Sequence, residues 1–251
     1  MQAATLIEYF DQLYIIHLPS RTDRYRTLKR ELERIRISIS GSKVSIPRAP
    51  VTQEARGFPS PGVLGNFLSH FEILKDAERN AYEKILVLED DAIFRECLRK
   101  PHEQAKVVTS LQSQEWGMCF IGHPLTVELI GKPQGLIPYR SHFKWAHCYA
   151  VHRSALSTLL GYLKDTMEHP AGHPRGGKMY IDAAFSMFRD FFPCVEVLVA
   201  NPCLSVQRGC PSSLSHAQWY DKVPAFRDIA QGVRVVRDEI WRQRVRSLAW
   251  R

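Results

Sequence analysis

Three consecutive carboxylates, Glu89, Asp90 and Asp91, follow the apolar run Ile85-Leu86-Val87-Leu88 and precede Ala92. Acids held this close repel one another unless a cation lies between them. A donor set made only of oxygen suits a hard divalent ion such as Mg²⁺ or Mn²⁺. Glu89 and Asp91 are the candidate metal ligands, with Asp90 beside them. The same three residues also suit a solvated turn or a helix cap after a strand. The triplet alone leaves both readings open.

Four other groups could contribute chemistry. Gly62, Gly65, Ser69 and His70 lie in GVLGNFLSH, just upstream of the acids. Glycines at a helix start let backbone approach a ligand, and the N–H groups there favour phosphate; a glycine turn before a core helix reads the same way. Arg21 and Arg24 follow the first apolar run, where guanidinium forks suit phosphate oxygens. Gln207 sits in NPCLSVQRGCPSS, which could line a pocket or be an exposed loop. Asp182 opens an apolar-striped segment after DTMEHPAGHPRGGKM, residues 165–179. An Asp there serves equally as a base or as a helix-dipole partner. His147 and His216 are additional metal-ligand candidates. His169 and His173 read as solvated loop residues.

These residues need elements to hold them. Leu13 to Leu18 reads as a first strand ending before Pro19, and Ser20 or Thr22 is placed to cap a helix reaching Ile35. Lys43 to Ala49 suggests a short strand, followed by a Pro- and Gly-rich loop. Val63 to Tyr82 has apolar residues at helical spacing. Lys84 to Ala92 is then a buried strand with the acids at its end. The order β-α-(β)-loop-α-β implies a parallel sheet with helices packed on it. Ligands bind such sheets beyond the carboxyl ends of the strands. Further on, helices are expected at 103–112, 154–164 and 180–191, and strands at 117–121, 144–151 and 195–200. Residues 165–179 form a long loop, a candidate lid over a ligand. Residues 1–222 are expected to form one α/β domain, and 223–251 a basic amphipathic helix packed on it or extending from it.

The chain has 251 residues and a formal charge of +8. That length supports one large domain with a core, and the charge favours anionic partners without choosing among them. The six cysteines are scattered, with neither a C-x-x-C pair nor zinc spacing, as for reduced thiols in a cytosolic protein. No secretory signal and no run of about 20 apolar residues is present, so the expected location is cytoplasmic, with peripheral membrane contact through the basic helix.

Taken together, the motifs resemble the family 25 glycosyltransferases, which include lipooligosaccharide-type and collagen galactosyltransferases. LYIIHLPSRTDR resembles that family's opening strand and Arg-rich turn, GVLGNFLSH its G-x-x-G-x-x-x-S-H, and LVLEDDA its strand ending in an acidic metal motif. KWAHCYAV, YIDAAF and PCLSVQRGCPSS resemble later segments, so the similarity spans about residues 12 to 215. The chain departs from the family at His17, where Asn is usual, and at Asn66, where Cys is common.

The resemblance implies a GT-A-like nucleotide-sugar-binding fold with a mixed, mainly parallel sheet. It also implies transfer of a hexose, galactose first and glucose next, from a UDP-sugar, with inversion. Glu89 and Asp91 would then grip Mn²⁺ or Mg²⁺ and the diphosphate. Arg21, Arg24, Gly62, Gly65, Ser69, His70, Asp90 and Gln207 would contact the donor, and Asp182 would deprotonate the acceptor hydroxyl. The acceptor would be a glycan, glycolipid or protein, as in lipopolysaccharide biosynthesis. Three rivals remain: a basic nucleic-acid-binding protein, against which stands the absence of any nucleic-acid motif; a metal-dependent phosphohydrolase; and a non-catalytic scaffold, against which stands the intact acidic triplet.

Overall fold

A computed structural model describes residues 5–124, 128–142 and 144–208. A short helix α1 (Leu6–Tyr9) leads into β1 (Gln12–Ile16), α2 (Thr22–Arg34) and a two-residue β2 (Val44–Ser45). Next come α3 (Pro61–Arg79), β3 (Lys84–Glu89), β4 (Ala92–Phe94), a 3₁₀ turn at Glu96–Arg99 and α4 (Pro101–Gln112). β5 (Met118–Phe120), β6 (Gly135–Pro138), β7 (Cys148–His152), α5 (Arg153–Glu168), α6 (Ile181–Phe191), β8 (Val197–Asn201) and β9 (Ser205–Gln207) complete the described chain.

The main sheet has the order β2-β1-β3-β7-β5-β8-β6. β1 is parallel to β2 and β3, and β8 is parallel to β5. β7 is antiparallel to β3 and β5, and β6 is antiparallel to β8. Thus β1, β2, β3, β5 and β8 run one way and β6 and β7 the other, giving the mixed, mainly parallel α/β sheet expected of a GT-A-like fold.

Both faces of this sheet are covered, which is why its central strands are apolar throughout. Successive side chains on a strand point to opposite faces. Tyr14, Ile85, Val87 and Tyr149 accordingly enter one core with Phe67, Leu74, Leu159 and Phe185 of α3, α5 and α6. Leu13, Ile15, Leu86 and Leu88 enter the other with Phe10, Leu28, Leu32 and Val107, so α1, α2 and α4 cover that face.

α3 starts where sequence and physics agree. Ser60 Oγ accepts from Val63 N at 3.2 Å, and Pro61 occupies the first turn, where its missing N–H costs nothing. α2 differs from expectation: Arg21 occupies the cap position, with no side-chain capping bond from it, rather than Ser20 or Thr22. The strand expected at 144–151 begins only at Cys148, because Trp145 has a φ of 68° that breaks the extended run. α5 runs four residues past the expected end at 164 and shortens the following loop. Three short strands escaped the pattern. β6 is an edge strand, and β4 and β9 pair with each other outside the main sheet, with Ser205 of β9 also bridging Gly122. Residues 209–251, and with them the expected basic helix, His216, the second domain and the last five residues of the 201–213 motif, lie outside the described residues. No described helix is long and apolar enough to cross a membrane. Cys97, Cys119, Cys148, Cys194 and Cys203 are free thiols.

Candidate active site

The three acids at the end of β3 have three different surroundings. Asp90 turns back toward β1: its N–H donates to the Ile16 carbonyl at 3.1 Å, and its carboxylate meets His17 Nδ1 at 2.8 Å and Arg24 Nη1 at 2.9 Å. Glu89, still on the strand, donates its N–H to the His147 carbonyl at 2.9 Å. Its Oε1 accepts from Asn66 Nδ2 at 2.9 Å and meets His70 Nε2 at 3.2 Å. Asp91 Oδ2 meets Arg24 Nη1 at 3.1 Å and accepts from Gln207 Nε2 at 3.2 Å. Its other oxygen, Oδ1, is buried with no hydrogen-bond partner.

Local folding explains how distant residues arrive. α2 follows β1 and carries Arg24 beneath the triplet. Asn66 and His70 are four apart on α3 and so share one helix face. β9 pairs with β4 so that Gln207 lies opposite Ala92, next to Asp91. The following N–H, of Arg208, donates to the Asp91 carbonyl at 2.8 Å.

The electrostatics separate the two outer acids. Burial works against ionising Glu89, yet its hydrogen bonds to His70 and Asn66 outweigh burial and hold its carboxyl below the usual range. Burial and the neighbouring Glu89 charge push Asp91 up to about 7, with Arg24 only partly offsetting them. His147 is fully buried behind Glu89. Burial lowers its pKa to about 4, so the ring is neutral, and neither ring nitrogen has a well-aligned hydrogen-bond partner. Gly122 leaves room for that ring, since a Cβ there would lie 2.4 Å from His147 Nε2.

A cavity of about 170 Å³ opens over the triplet. Arg24, Gly62, Gly65, Ser69, Glu89, Asp90, Asp91 and Gln207, all expected at the site, line it together with Asn66. The rest of its wall is largely apolar, including Leu18, Pro50, Val51 and Pro61. Ser69 spends its hydroxyl on the Gly65 carbonyl at 2.8 Å. Gly65 is required by packing: a Cβ there would stand 2.9 Å from the Pro50 carbonyl oxygen.

Besides His147, two expected donor contacts and the expected base are not in the wall. His70 is fully buried and reaches the cavity only through Glu89, so its place is behind a wall residue rather than against a donor. Arg21 pairs with Asp23 at the start of α2, at 3.1 Å. Asp182 accepts from Trp145 N at 3.0 Å and from Ala183 N at 2.9 Å. It ties α6 to the segment entering β7. The loop expected to act as a lid is folded on itself. His169 Nδ1 meets the Gly176 carbonyl at 3.0 Å and stacks on His173 at 3.9 Å, and none of the loop's residues lines the cavity.

The donor set fits a hard divalent cation. Asp91 Oδ1 is a buried acceptor in need of a positive partner, and Glu89 brings a second carboxylate. Among the described residues, no three His, Cys, Asp or Glu side chains converge as a metal cage. Mg²⁺-type sites often use only one or two carboxylates, with substrate phosphates and water completing the shell. Two contributors were not read as site residues from the sequence: His17 and Asn66. His17 and Asn66 are the two departures from the family pattern, and each contacts an acid of the triplet, which is the signal that could have found them.

No family model matches the chain. Over 174 residues it is 23% identical to mouse (Mus musculus) procollagen galactosyltransferase 2, covering 61% of this chain. That similarity spans 28% of the mouse protein's length. Among solved structures, the chain is similar to a glycosyltransferase involved in glycosylating the major capsid of PBCV-1. That similarity has a TM-score of 0.48 and 17% identity, covering 80% of this chain and 94% of that one. It is also similar to the mannose-1-phosphate geranyltransferase of Thermus thermophilus, with a TM-score of 0.41 and 14% identity, covering 75% and 72%.

Proposed function

We propose that this chain is a divalent-cation-dependent glycosyltransferase of the family 25 kind, moving a hexose, galactose first, from a UDP-sugar to an acceptor hydroxyl with inversion. The observation that carries the reading is Asp91: a buried carboxylate, one oxygen unpartnered, beside Glu89 in the wall of a cavity at the strand ends. The likeness to procollagen galactosyltransferase 2 supports the reaction class.

In this reading Glu89 and Asp91 would hold Mn²⁺ or Mg²⁺ beside the donor's diphosphate. The bound ion would offset the negative charge that builds on the departing diphosphate. Gln207 and Arg24 hold Asp91 in position from one side. The apolar wall at Leu18, Pro50, Val51 and Pro61 seats the flat base and excludes water. The acceptor oxygen bonds to the anomeric carbon as the carbon–oxygen bond to the diphosphate breaks. The hydroxyl proton passes to a carboxylate, for which Asp182 is the candidate. Asp182→Asn is expected to abolish transfer and leave UDP binding unchanged; undiminished turnover removes Asp182 from the role.

A thermal-shift screen of nucleotide sugars, with and without Mn²⁺, tests the whole reading. Stabilisation by UDP-sugars only when the metal is present is the expected outcome. Stabilisation by nucleic acid alone overturns it. Release of inorganic phosphate from nucleotides, without sugar transfer, replaces it with phosphohydrolysis.

A further inference from the structure

Glu89 is held by a chain of buried groups that the proposed reaction does not itself use. Tyr149 OH lies 2.8 Å from His70 Nδ1, and His70 Nε2 lies 3.2 Å from Glu89 Oε1. Tyr149 and His70 are both inaccessible to solvent. They come from different elements, β7 and α3, and their rings pack at 5.6 Å, with Phe185 closing the other side at 5.1 Å from Tyr149 and 6.1 Å from His70. Asn66, one turn before His70, donates to the same oxygen. Two donors from one helix face therefore converge on Glu89 Oε1.

We infer that Tyr149, acting through His70, is a positioning residue: the chain Tyr149–His70–Glu89 fixes one tautomer of His70 and leaves the second Glu89 oxygen to face the ligand. The chemistry is directional. The Tyr149 hydroxyl donates to Nδ1, so the ring proton sits on Nε2 and donates to Glu89 Oε1. Asn66 fills the remaining approach to that oxygen. With Oε1 so engaged, Glu89 presents a single oxygen in a fixed direction. Partners behind a ligand act in this way by setting its orientation, and their loss typically lowers metal affinity by about 10- to 100-fold. The inference rests on the reading of Glu89 as a metal and diphosphate ligand, but the hydrogen-bond chain has its own readout.

The first measurement is the ¹⁵N spectrum of His70 in metal-free protein, wild type against Tyr149→Phe. The expected result is an unprotonated Nδ1 and a protonated Nε2 in the wild type, with the tautomer balance shifting toward Nδ1–H in the variant. A wild-type ring protonated at Nδ1, or an unchanged spectrum in Tyr149→Phe, overturns the chain. The second is Mg²⁺-dependent UDP binding in a double-mutant cycle with His70→Gln, whose amide keeps a donor for Glu89 and drops the link to Tyr149. Tyr149→Phe is expected to weaken binding about tenfold in the wild-type background and not at all beside His70→Gln. Equal losses in both backgrounds mean a packing role and overturn the proposal. A wild type without metal-dependent UDP binding overturns the function proposed above, and the spectra then decide the hydrogen-bond chain by themselves.

Discussion

The two ends of the sheet carry very different hollows. At the carboxyl end of β3 lies the cavity of about 170 Å³ over Glu89 and Asp91; at the opposite end lies a groove of about 730 Å³ lined by Tyr9, Lys84, Trp116, His152 and Glu196. The larger hollow is chemically settled. Lys84 Nζ sits 5.4 Å above the Tyr9 ring, Trp116 Nε1 donates to the Leu111 carbonyl at 3.1 Å, and Glu196 pairs with Arg140 at 2.8 Å. Among the described residues, none in its wall holds a buried polar atom without a partner. Asp91, in the wall of the smaller hollow, has a buried Oδ1 with none. A buried carboxylate oxygen without a partner is costly and persists where a ligand relieves it. An unsatisfied carboxylate oxygen, more than volume, distinguishes the end proposed to hold the donor.

The sharpest way to break this contrast is to remove the unsatisfied group. Asp91→Ala is expected to weaken metal-dependent UDP binding by more than the roughly 100-fold that marks loss of an outer partner. The fold should survive, because Arg24 keeps Asp90 at 2.9 Å. Calorimetric titration alongside a thermal melt checks both halves. Binding at wild-type strength would dissolve the distinction between the two ends.

Asp91→Asn gives the next largest effect, in stability rather than binding. The Asp91 pKa is raised from 3.8 to about 7, so between those values the folded protein holds a proton that the unfolded chain has released. Asp91 therefore favours the folded state most at low pH, and that contribution is lost as pH rises through about 7. His123 and His147, both lowered to about 4 by burial, act oppositely: their penalty below pH 6.5 fades as pH rises. The informative quantity is thus the difference in Tm between Asp91→Asn and wild type without metal. It should grow from about pH 4 to about pH 7 and then level off. Saturating Mg²⁺ with UDP should stabilise the wild type and shrink that gap. A difference independent of pH means that Asp91 is as well satisfied as anything in the large groove.

Much of the small cavity could be read from the chain because its residues sit at ends of strongly patterned elements. Ile85–Leu88 reads as a central strand, which puts the acids at its carboxyl end. Gly62 and Gly65 mark the start of α3, and the Arg24 position follows from α2 succeeding β1. The sequence was silent where tertiary contact overrides local pattern. β9 is three residues paired with a three-residue partner, so the approach of Gln207 to Asp91 has no periodic signal. His70 reads as a polar residue near a site but is fully buried, because helical spacing places it on the core face with Phe67 and Leu74. Residues 165–179 suggested a mobile lid through their Gly, Pro and His content. Instead, Gly177 approaches the Pro170 backbone so closely that a Cβ would overlap its carbonyl, and the segment is tightly folded on itself. The large groove had no sequence signature, since its walls come from α1, α4, α5 and neighbouring strand ends that share no motif.

A smaller effect separates packing from ligand contact within the cavity itself. Gly65→Ala puts a methyl group 2.9 Å from the Pro50 carbonyl oxygen. α3 or the loop carrying Pro50 and Val51 must shift, at a cost of about 1–3 kcal/mol in stability. Because both segments line the cavity, UDP binding should also fall, though by less than in Asp91→Ala. Chemical denaturation paired with calorimetry measures the two together. Lost stability with unchanged binding would mean that the apolar wall does not touch the donor.

The smallest expected effect is the control that the contrast requires. Gln112 and Glu115 line the large groove and are exposed. Replacing both with Ala changes the chemistry of that hollow without opening a core. If volume marked the site, this double variant would lose UDP binding, since the groove is the roomier of the two. If unsatisfied charge marks it, binding should stay within about twofold and Tm should barely move, as for surface substitutions generally. The same titration that scores Asp91→Ala scores this variant, so the two ends are compared on one scale. A loss in the groove variant approaching that of Asp91→Ala would transfer the site to the far end of the sheet, and the buried acid would then have to be explained as structure alone.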